Sequence, residues 1–438
     1  MNLNEIHYVR EEFVKLLDSR SFFVKNNKDL SKLIDKYLIP QKLEKKTNAE
    51  ISTPYKLRKE MLDKIPMDFW NTPKKVFEPC SGKGGFLIDI VNKFMNGLKQ
   101  VIPNEKIRYK IIVEECLYFS DINSTNIFIN KLLLDPYNNY KLNYNEGNTL
   151  ELDIKKKWDI NGFDAIIGNP PYQAPRKKEN KTKGGGGDLL WNKFVIYSIN
   201  NIKNNGYLLY IHPSGWRKPE GLNIKCKSKY KGLYDIMTKK NKLLYLNIND
   251  TKKGLKMFGC GTRYDYYLLK KSTNEKIKTK IIDQNDNEIK LDLNLIPFIT
   301  NYNIDKLLKI ISLNKNDNIN ILIPGSDIRR KHISNKKDEI FKYEMIHSTP
   351  LKGVQKRYSN EKNKKDHFGI KKIIFGDSGI TKNLIIDIKG EYGLTNHTIG
   401  IKIINEEEGK NIKKALLSVE FKDFIKSCSW SNYQIDWR

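Results

Sequence analysis

Apolar residues recur at helical spacing near the start of the chain: Ile6, Val9, Phe13, Leu16 and Leu17, then Leu30, Leu33, Ile34, Tyr37 and Leu38. This predicts a helical region over residues 1–70. From residue 74 the pattern changes. Short apolar runs (VFEPC, CLYFSD, FDAIIGN, GYLLYIHP) alternate with longer amphipathic stretches such as IDIVNKFMNGL and NIFINKLLL. The first set reads as buried strands and the second as helices between them. That alternation predicts an α/β domain over residues 50–294, a parallel sheet with helices on both faces. After TRYDYYLLKK, the segment KTKIIDQNDNEIKLDL reads as a hairpin closing this domain, with its turn at Asp-Asn. Beyond about residue 295 the βα repeat stops. Residues 295–438 are expected to form a separate domain of mixed α+β structure.

Charge adds a partner to this picture. Lys and Arg total 79 against 51 acids, a formal charge of +28, which suits a polyanion such as nucleic acid. The mean hydropathy of −0.60 is low because of Lys and Asn and says little about function. The basic run 352–372 holds eight Lys or Arg against two acids. It reads as a loop whose Lys352, Lys356, Arg357, Lys364, Lys365, Lys371 and Lys372 would grip phosphates. The stretch APRKKENKTKGGGGD, residues 174–188, reads as a mobile loop. The cysteines at 80, 116, 226, 260 and 428 form no C-x-x-C pair, which speaks for a reducing compartment and against a disulfide framework or zinc site. The charged start carries no signal-peptide core, and no apolar run reaches the roughly 20 residues that span a bilayer. A soluble, intracellular protein with no membrane contact is expected.

Candidate chemistry falls at the ends of the predicted strands. VFEPCSGKGGFL is a strand, a Gly-rich turn and a helix start, with Gly82 and Gly84 allowing close backbone approach to a ligand. CLYFSDIN ends its strand on Asp121, where an acid takes hydrogen bonds from ribose hydroxyls. These two elements leave a nicotinamide fold open. The fourth strand speaks against it: FDAIIGN runs into Asn169, Pro170, Pro171 and Tyr172. Two consecutive prolines fix φ and hold the preceding residue out of helical space. The result is a rigid loop presenting the Asn169 amide oxygen and the Pro170 carbonyl. Two such acceptors on an aromatic amine would free its lone pair, and Tyr172 offers a flat face to a base.

Together these residues resemble the amino-group DNA methyltransferases, in particular the N6-adenine enzymes of restriction–modification systems and large DNA viruses. The resemblance covers roughly residues 50–275. It implies a Rossmann-like fold and S-adenosyl-L-methionine as cofactor. It implies cofactor-binding roles for Thr53 and Pro54, for Glu78, Pro79, Gly82, Gly84 and Phe86, for Asp121 and Ile122, and for Asn148. Asn169 to Tyr172 would be the catalytic motif. Leu190, Trp191, Phe194 and the GYLLYIHPSGWR segment resemble the strands that build the base pocket. SWSNYQIDW has the look of a family C-terminal helix. Glu78 stands where Asp is commoner, and Asn148 where an acid is usual. The resemblance further implies a C-terminal target-recognition domain and double-stranded DNA as partner, with room for a separate restriction endonuclease. No metal is expected, because a sulfonium leaving group already carries the driving force and the six histidines do not cluster.

Three alternatives stay open. The same tetrapeptide serves methylation of RNA or of glutamine in protein, and a non-catalytic DNA-binding subunit is conceivable. Glu288, Ile289 and Lys290 after Asp283 mimic part of a nuclease signature but read as the surface of the hairpin. His212 reads as a core or pocket residue.

Overall fold

The computed structural model describes residues 51–174, 188–217, 232–272, 278–310, 319–322 and 331–430. The helices expected over residues 1–50, most of the expected mobile loop 174–188, and the last eight residues of the chain lie outside the described residues. The chain divides into two compact units, 1–216 with 222–294, and 217–221 with 295–438.

The first unit begins with α1 (Tyr55–Leu62). There follow β1 (Val76–Glu78), α2 (Gly85–Gly97), α3 (Glu105–Ile111), β2 (Leu117–Asp121), α4 (Ser124–Leu134), β3 (Asn143–Glu146) and α5 (Ile154–Trp158). Then come β4 (Phe163–Gly168), α6 (Trp191–Asn201), β5 (Ile202–Pro213), α7 (Leu233–Thr238), β6 (Lys242–Asn249), α8 (Thr251–Phe258), β7 (Tyr264–Lys270), β8 (Thr279–Ile282) and β9 (Glu288–Leu291). The nine strands form one sheet in the order β3-β2-β1-β4-β5-β7-β6-β8-β9. Strands β1 to β5 pair in parallel. The expectation of a parallel sheet needs correcting beyond them. Strand β7 enters between β5 and β6 and runs antiparallel to both. Only α8 and a short turn separate β6 from β7, so the chain returns beside β6 in the opposite direction. The expected hairpin is β8–β9, and it extends the sheet through a parallel pairing of β8 with β6. Glu288 is exposed there and pairs with Lys280 at 2.7 Å.

Burial explains the segments. The central strands β1, β2 and β4 are buried along nearly their whole length, Asp164 excepted, as the near-continuous apolar runs require. Phe77 on β1 and Phe163 on β4 stack at 4.7 Å. Helix α2 buries Phe86, Leu87, Ile90, Val91 and Phe94 against the sheet. Strands β3 and β6 (NYNE and KLLYLNIN) were not among the runs read from the sequence. Polar residues interrupt both, and β3 is only half-buried.

The second unit holds α9 (Ile304–Ile310), β10 (Ile321–Leu322), β11 (Ile333–Ser334), β12 (Tyr343–Ser348), β13 (Gln355–Ser359), β14 (Lys372–Gly376), β15 (Ile385–Asp387), β16 (Gly393–Leu394) and β17 (Thr398–Lys402). Helices α10 (Glu406–Leu417) and α11 (Val419–Ser427) follow. The strands make two four-stranded sheets, β10-β17-β14-β15 and β11-β13-β12-β16. Ile373, Phe375, Leu384, Ile399, Ile401 and Leu416 form a core under α10. Asn405 caps α10, and Glu406, Glu407 and Glu408 in its first turn complement the helix dipole. Arg217, fully buried, donates to the carbonyls of Ile299 and Thr300 and to Asn301 Oδ1.

Candidate active site

The glycine turn after β1 is built by three elements. Gly84 sits at φ +84°, and a Cβ there would stand 2.4 Å from Asn130 Oδ1, so only glycine fits. Gly82 donates its N–H to Asp121 Oδ2 at 2.8 Å, across from the end of β2. Asp121 Oδ1 accepts from the Asn123 N–H at 2.8 Å and from Asn126 Nδ2 at 3.2 Å. Burial raises the Asp121 carboxyl, and these bonds oppose the shift. Asp121 therefore clamps the turn, with acceptor capacity left for ribose hydroxyls. Asn130 completes the clamp: its Nδ2 donates to Ser81 Oγ at 2.7 Å and to the Gly82 carbonyl at 3.2 Å. Sequence reading missed Asn126 and Asn130. Two amides three and seven residues after Asn123, on the helix face shared with Ile127, Leu133 and Leu134, were the available signal.

Glu78 is 2% exposed, and its Oε2 accepts no hydrogen bond. Burial pushes its carboxyl well up, and the nearby Arg58 guanidinium opposes that. Such an open buried acceptor suits an ammonium group of a ligand. Asn148 uses its amide locally, capping a short turn through Leu150 N–H and donating to Glu151 Oε1 at 2.6 Å. Ile122 is 69% exposed, an apolar side chain free to cover an aromatic ring.

The tetrapeptide follows β4. Asn169 Nδ2 donates to the Ile51 carbonyl at 3.3 Å and to Thr53 Oγ1 at 3.1 Å. Asn169 Oδ1 is buried and accepts nothing. One cavity of about 1070 Å³ gathers both groups. Thr53, Glu78, Pro79, Gly82, Phe86, Asp121, Ile122, Asn148 and Asn169 to Tyr172 all line it. Pro54 and Gly84 do not reach its wall. Pro54 precedes α1, and Gly84 faces α4.

Trp191, Phe194, Met257 and Phe258 add an aromatic and apolar part to the wall, beside polar residues such as Gln173 and Lys193. Trp191 and Phe194 belong to helix α6, not to a strand as expected, because aromatic residues spaced three apart put one face of a helix on the cavity. Phe258 and Met257 of α8 were not foreseen. Trp191 stacks on His212 at 4.3 Å, and His212 Nε2 bonds the Tyr267 hydroxyl at 2.9 Å. Burial lowers His212 to about 3, so it is a neutral core residue.

The basic run needs a correction. It is not one loop: it contains β13, a turn of 3-10 helix at Lys364–Asp366 and the start of β14. Lys372 is fully buried in β14 and bonds Asp387 Oδ2 at 2.8 Å. It is unable to reach a phosphate, because β14 is an inner strand between β17 and β15 and is buried along its whole length. Lys356 pairs with Glu344 at 2.7 Å, and both Lys356 and Arg357 are half-buried. Lys352, Lys364, Lys365 and Lys371 are exposed.

Residues 115–241 match the family described as Eco57I restriction-modification methylase. An uncharacterized adenine-specific methylase of Mycoplasma pneumoniae is 23% identical over 280 residues, 48% of this chain and 63% of that protein. Among solved structures, a nuclease-deletion mutant of the Type ISP restriction-modification enzyme LlaGI, in complex with a DNA substrate mimic, superposes with a TM-score of 0.55. That likeness is one of fold: identity is 12%, over 93% of this chain and 46% of the other. The chain thus spans under two thirds of both. The segment that matches the family model runs through Asp121 and through Asn169 to Tyr172, so the similarity falls on the strand-end acid and the tetrapeptide of the cavity.

Proposed function

We propose that this protein transfers a methyl group from S-adenosyl-L-methionine to the N6 amino group of adenine in DNA. The observation that carries this reading is the shared cavity. It joins a glycine turn and an unpartnered carboxyl oxygen, Glu78 Oε2, at one part of its wall to an amide oxygen, Asn169 Oδ1, that is buried without a partner. A buried acceptor left open costs about 1–3 kcal/mol, so a site that keeps one has a donor to receive.

The residues present fit the cofactor. Glu78 Oε2 is an unfilled acceptor for its amino group, Asp121 for ribose hydroxyls, and Ile122 an apolar cover for its adenine ring. When bound, S-adenosyl-L-methionine supplies a methyl group activated on a sulfonium. The protein's part is to present the target. An adenine amino group is inaccessible within the stack, so the base is flipped out at a cost of a few kcal/mol. Tyr172, with Trp191, Phe194 and Phe258, forms the aromatic wall that receives it. Asn169 Oδ1 and the Pro170 carbonyl accept the two amino hydrogens, which localises the nitrogen lone pair for attack. The apolar wall excludes water and strengthens both hydrogen bonds.

The second unit, residues 295–438, is assigned to target recognition on double-stranded DNA. What supports this is its exposed Lys352, Lys364, Lys365 and Lys371 and the net charge of +28. A partner nuclease would complete a restriction–modification pair. The test is incubation of the full chain with radiolabelled S-adenosyl-L-methionine and unmethylated DNA or RNA, then nucleoside analysis. Label in N6-methyldeoxyadenosine is expected. Label only in an RNA nucleoside, or in protein, overturns the DNA assignment.

A further inference from the structure

Asn169 has a side chain whose direction matters and whose own torsion does little to fix it, because terminal amide torsions are broad. Its two fixed contacts come from a segment over a hundred residues upstream: the Ile51 carbonyl at 3.3 Å and Thr53 Oγ1 at 3.1 Å, both accepting from Nδ2. A main-chain carbonyl only accepts, so the Ile51 contact decides which end of the amide is nitrogen. The oxygen is thereby the end left buried and open.

That upstream segment is itself anchored. Arg58 Nη1 donates to the Thr53 carbonyl. Arg58 Nε donates to Asp89 Oδ2 at 2.6 Å, and both side chains are almost fully buried. Asp89 belongs to α2, the helix that follows the glycine turn. A Cβ at Gly85, the first residue of α2, would stand 2.7 Å from Arg58 Cζ, so the guanidinium lies hard against that helix start. A chain of contacts thus runs from α2 through Asp89, Arg58 and Thr53 to the amide of Asn169.

We propose that Thr53 is a positioning residue that orients the Asn169 amide, and that the buried Arg58–Asp89 pair anchors it. This rests on the reading of Asn169 as the acceptor for the target amine. It gives Thr53 a role distinct from contact with the cofactor. With Oγ1 gone, Nδ2 keeps only the longer bond to Ile51, and Oδ1 samples a wider range of directions.

The experiment compares Thr53→Val, which removes the acceptor at nearly constant shape, with Thr53→Ser, which keeps it. Single-turnover rates are measured at saturating cofactor and DNA, and S-adenosylhomocysteine affinity by calorimetry. Water exchange of the Asn169 side-chain amide protons is followed by NMR, the signal being assigned by its loss in Asn169→Asp. Thr53→Val should lower the rate about 10–100-fold, as a misplacement near 1 Å does. Its affinity should stay within about threefold of the parent, and Thr53→Ser should recover the rate to within about threefold. The amide protons should exchange faster in Thr53→Val only. A Thr53→Val protein with parental rate and amide exchange overturns the proposal. Lost affinity with an unchanged saturated rate makes Thr53 a cofactor contact alone and also overturns it. If the parent methylates nothing, the proposed function fails, and the amide exchange still decides the positioning role either way.

Discussion

Asn169 divides its amide between two tasks: the nitrogen is tied to Ile51 and Thr53, and the oxygen is kept for a ligand. Asn169→Ala should therefore lower the methylation rate about 10²–10³-fold, the usual loss for one preorganised polar group, with S-adenosylhomocysteine affinity nearly unchanged. A single-turnover rate close to the parent's would remove Asn169 from the chemistry. His212, in contrast, serves the wall. It titrates at about 3 when folded, against 6.5 ordinarily, because burial disfavours its charged form. Between those values the unfolded chain holds a proton that the folded chain refuses. The stability His212 contributes is complete above pH 6.5 and is lost as pH falls toward 3. His212→Gln has no such titration, so from pH 7 to pH 5 it should lose about 2 kcal/mol less than the parent. Urea melts at the two pH values measure this, and parallel losses would place the proton elsewhere.

At the scale of elements, helix α4 stands beneath the glycine turn like a rack of amides. Asn123 caps it, Asn126 holds Asp121, and Asn130 holds Ser81 and Gly82. Gly84→Ala would combine a positive φ with a Cβ against Asn130 Oδ1. It should cost about 1–2 kcal/mol of backbone strain and weaken S-adenosylhomocysteine roughly tenfold. Adding Asn130→Ala should relieve part of the clash, so the two losses should not add in calorimetry. Additive losses would mean that α4 does not support the turn. The glycine turn, Asp121 and the tetrapeptide were legible in the sequence because each is a contiguous string whose residue types are dictated by backbone geometry at a strand end. Asn126, Asn130 and the Arg58–Asp89 pair were not. Their meaning lies in partners on other elements, and an isolated Asn or Arg in a helix carries no mark of its partner. The antiparallel direction of strand β7 depends on where the chain returns, which periodicity does not encode.

For the molecule as a whole, the charge of +28 sets a long-range attraction for polyanions, and the exposed lysines of the second unit are where contact is expected. Neutralising Lys352, Lys364, Lys365 and Lys371 together should flatten the slope of log DNA affinity against log salt by about two to four units. The saturated methylation rate should change little. An unchanged slope would make these lysines a merely solvated surface. Lys372 should behave differently although it belongs to the same run. Lys372→Met leaves Asp387 buried without its cation, and the second unit should lose about 3–5 kcal/mol. Its thermal midpoint should drop while the salt slope of the folded protein stays parental.

The course of the backbone has a bearing on ancestry. The second unit is not a tail appended at residue 295, since it also claims Arg217, which sits at zero exposure among carbonyl partners near residue 300. A gene that exchanged only the codons after 294 for those of a relative would bring in a module lacking its arginine plug and leave the old plug without a socket. Exchange of this unit between relatives should therefore proceed by two-point crossover, and chimaeras joined at 294 alone should be insoluble where those joined at both sites are not.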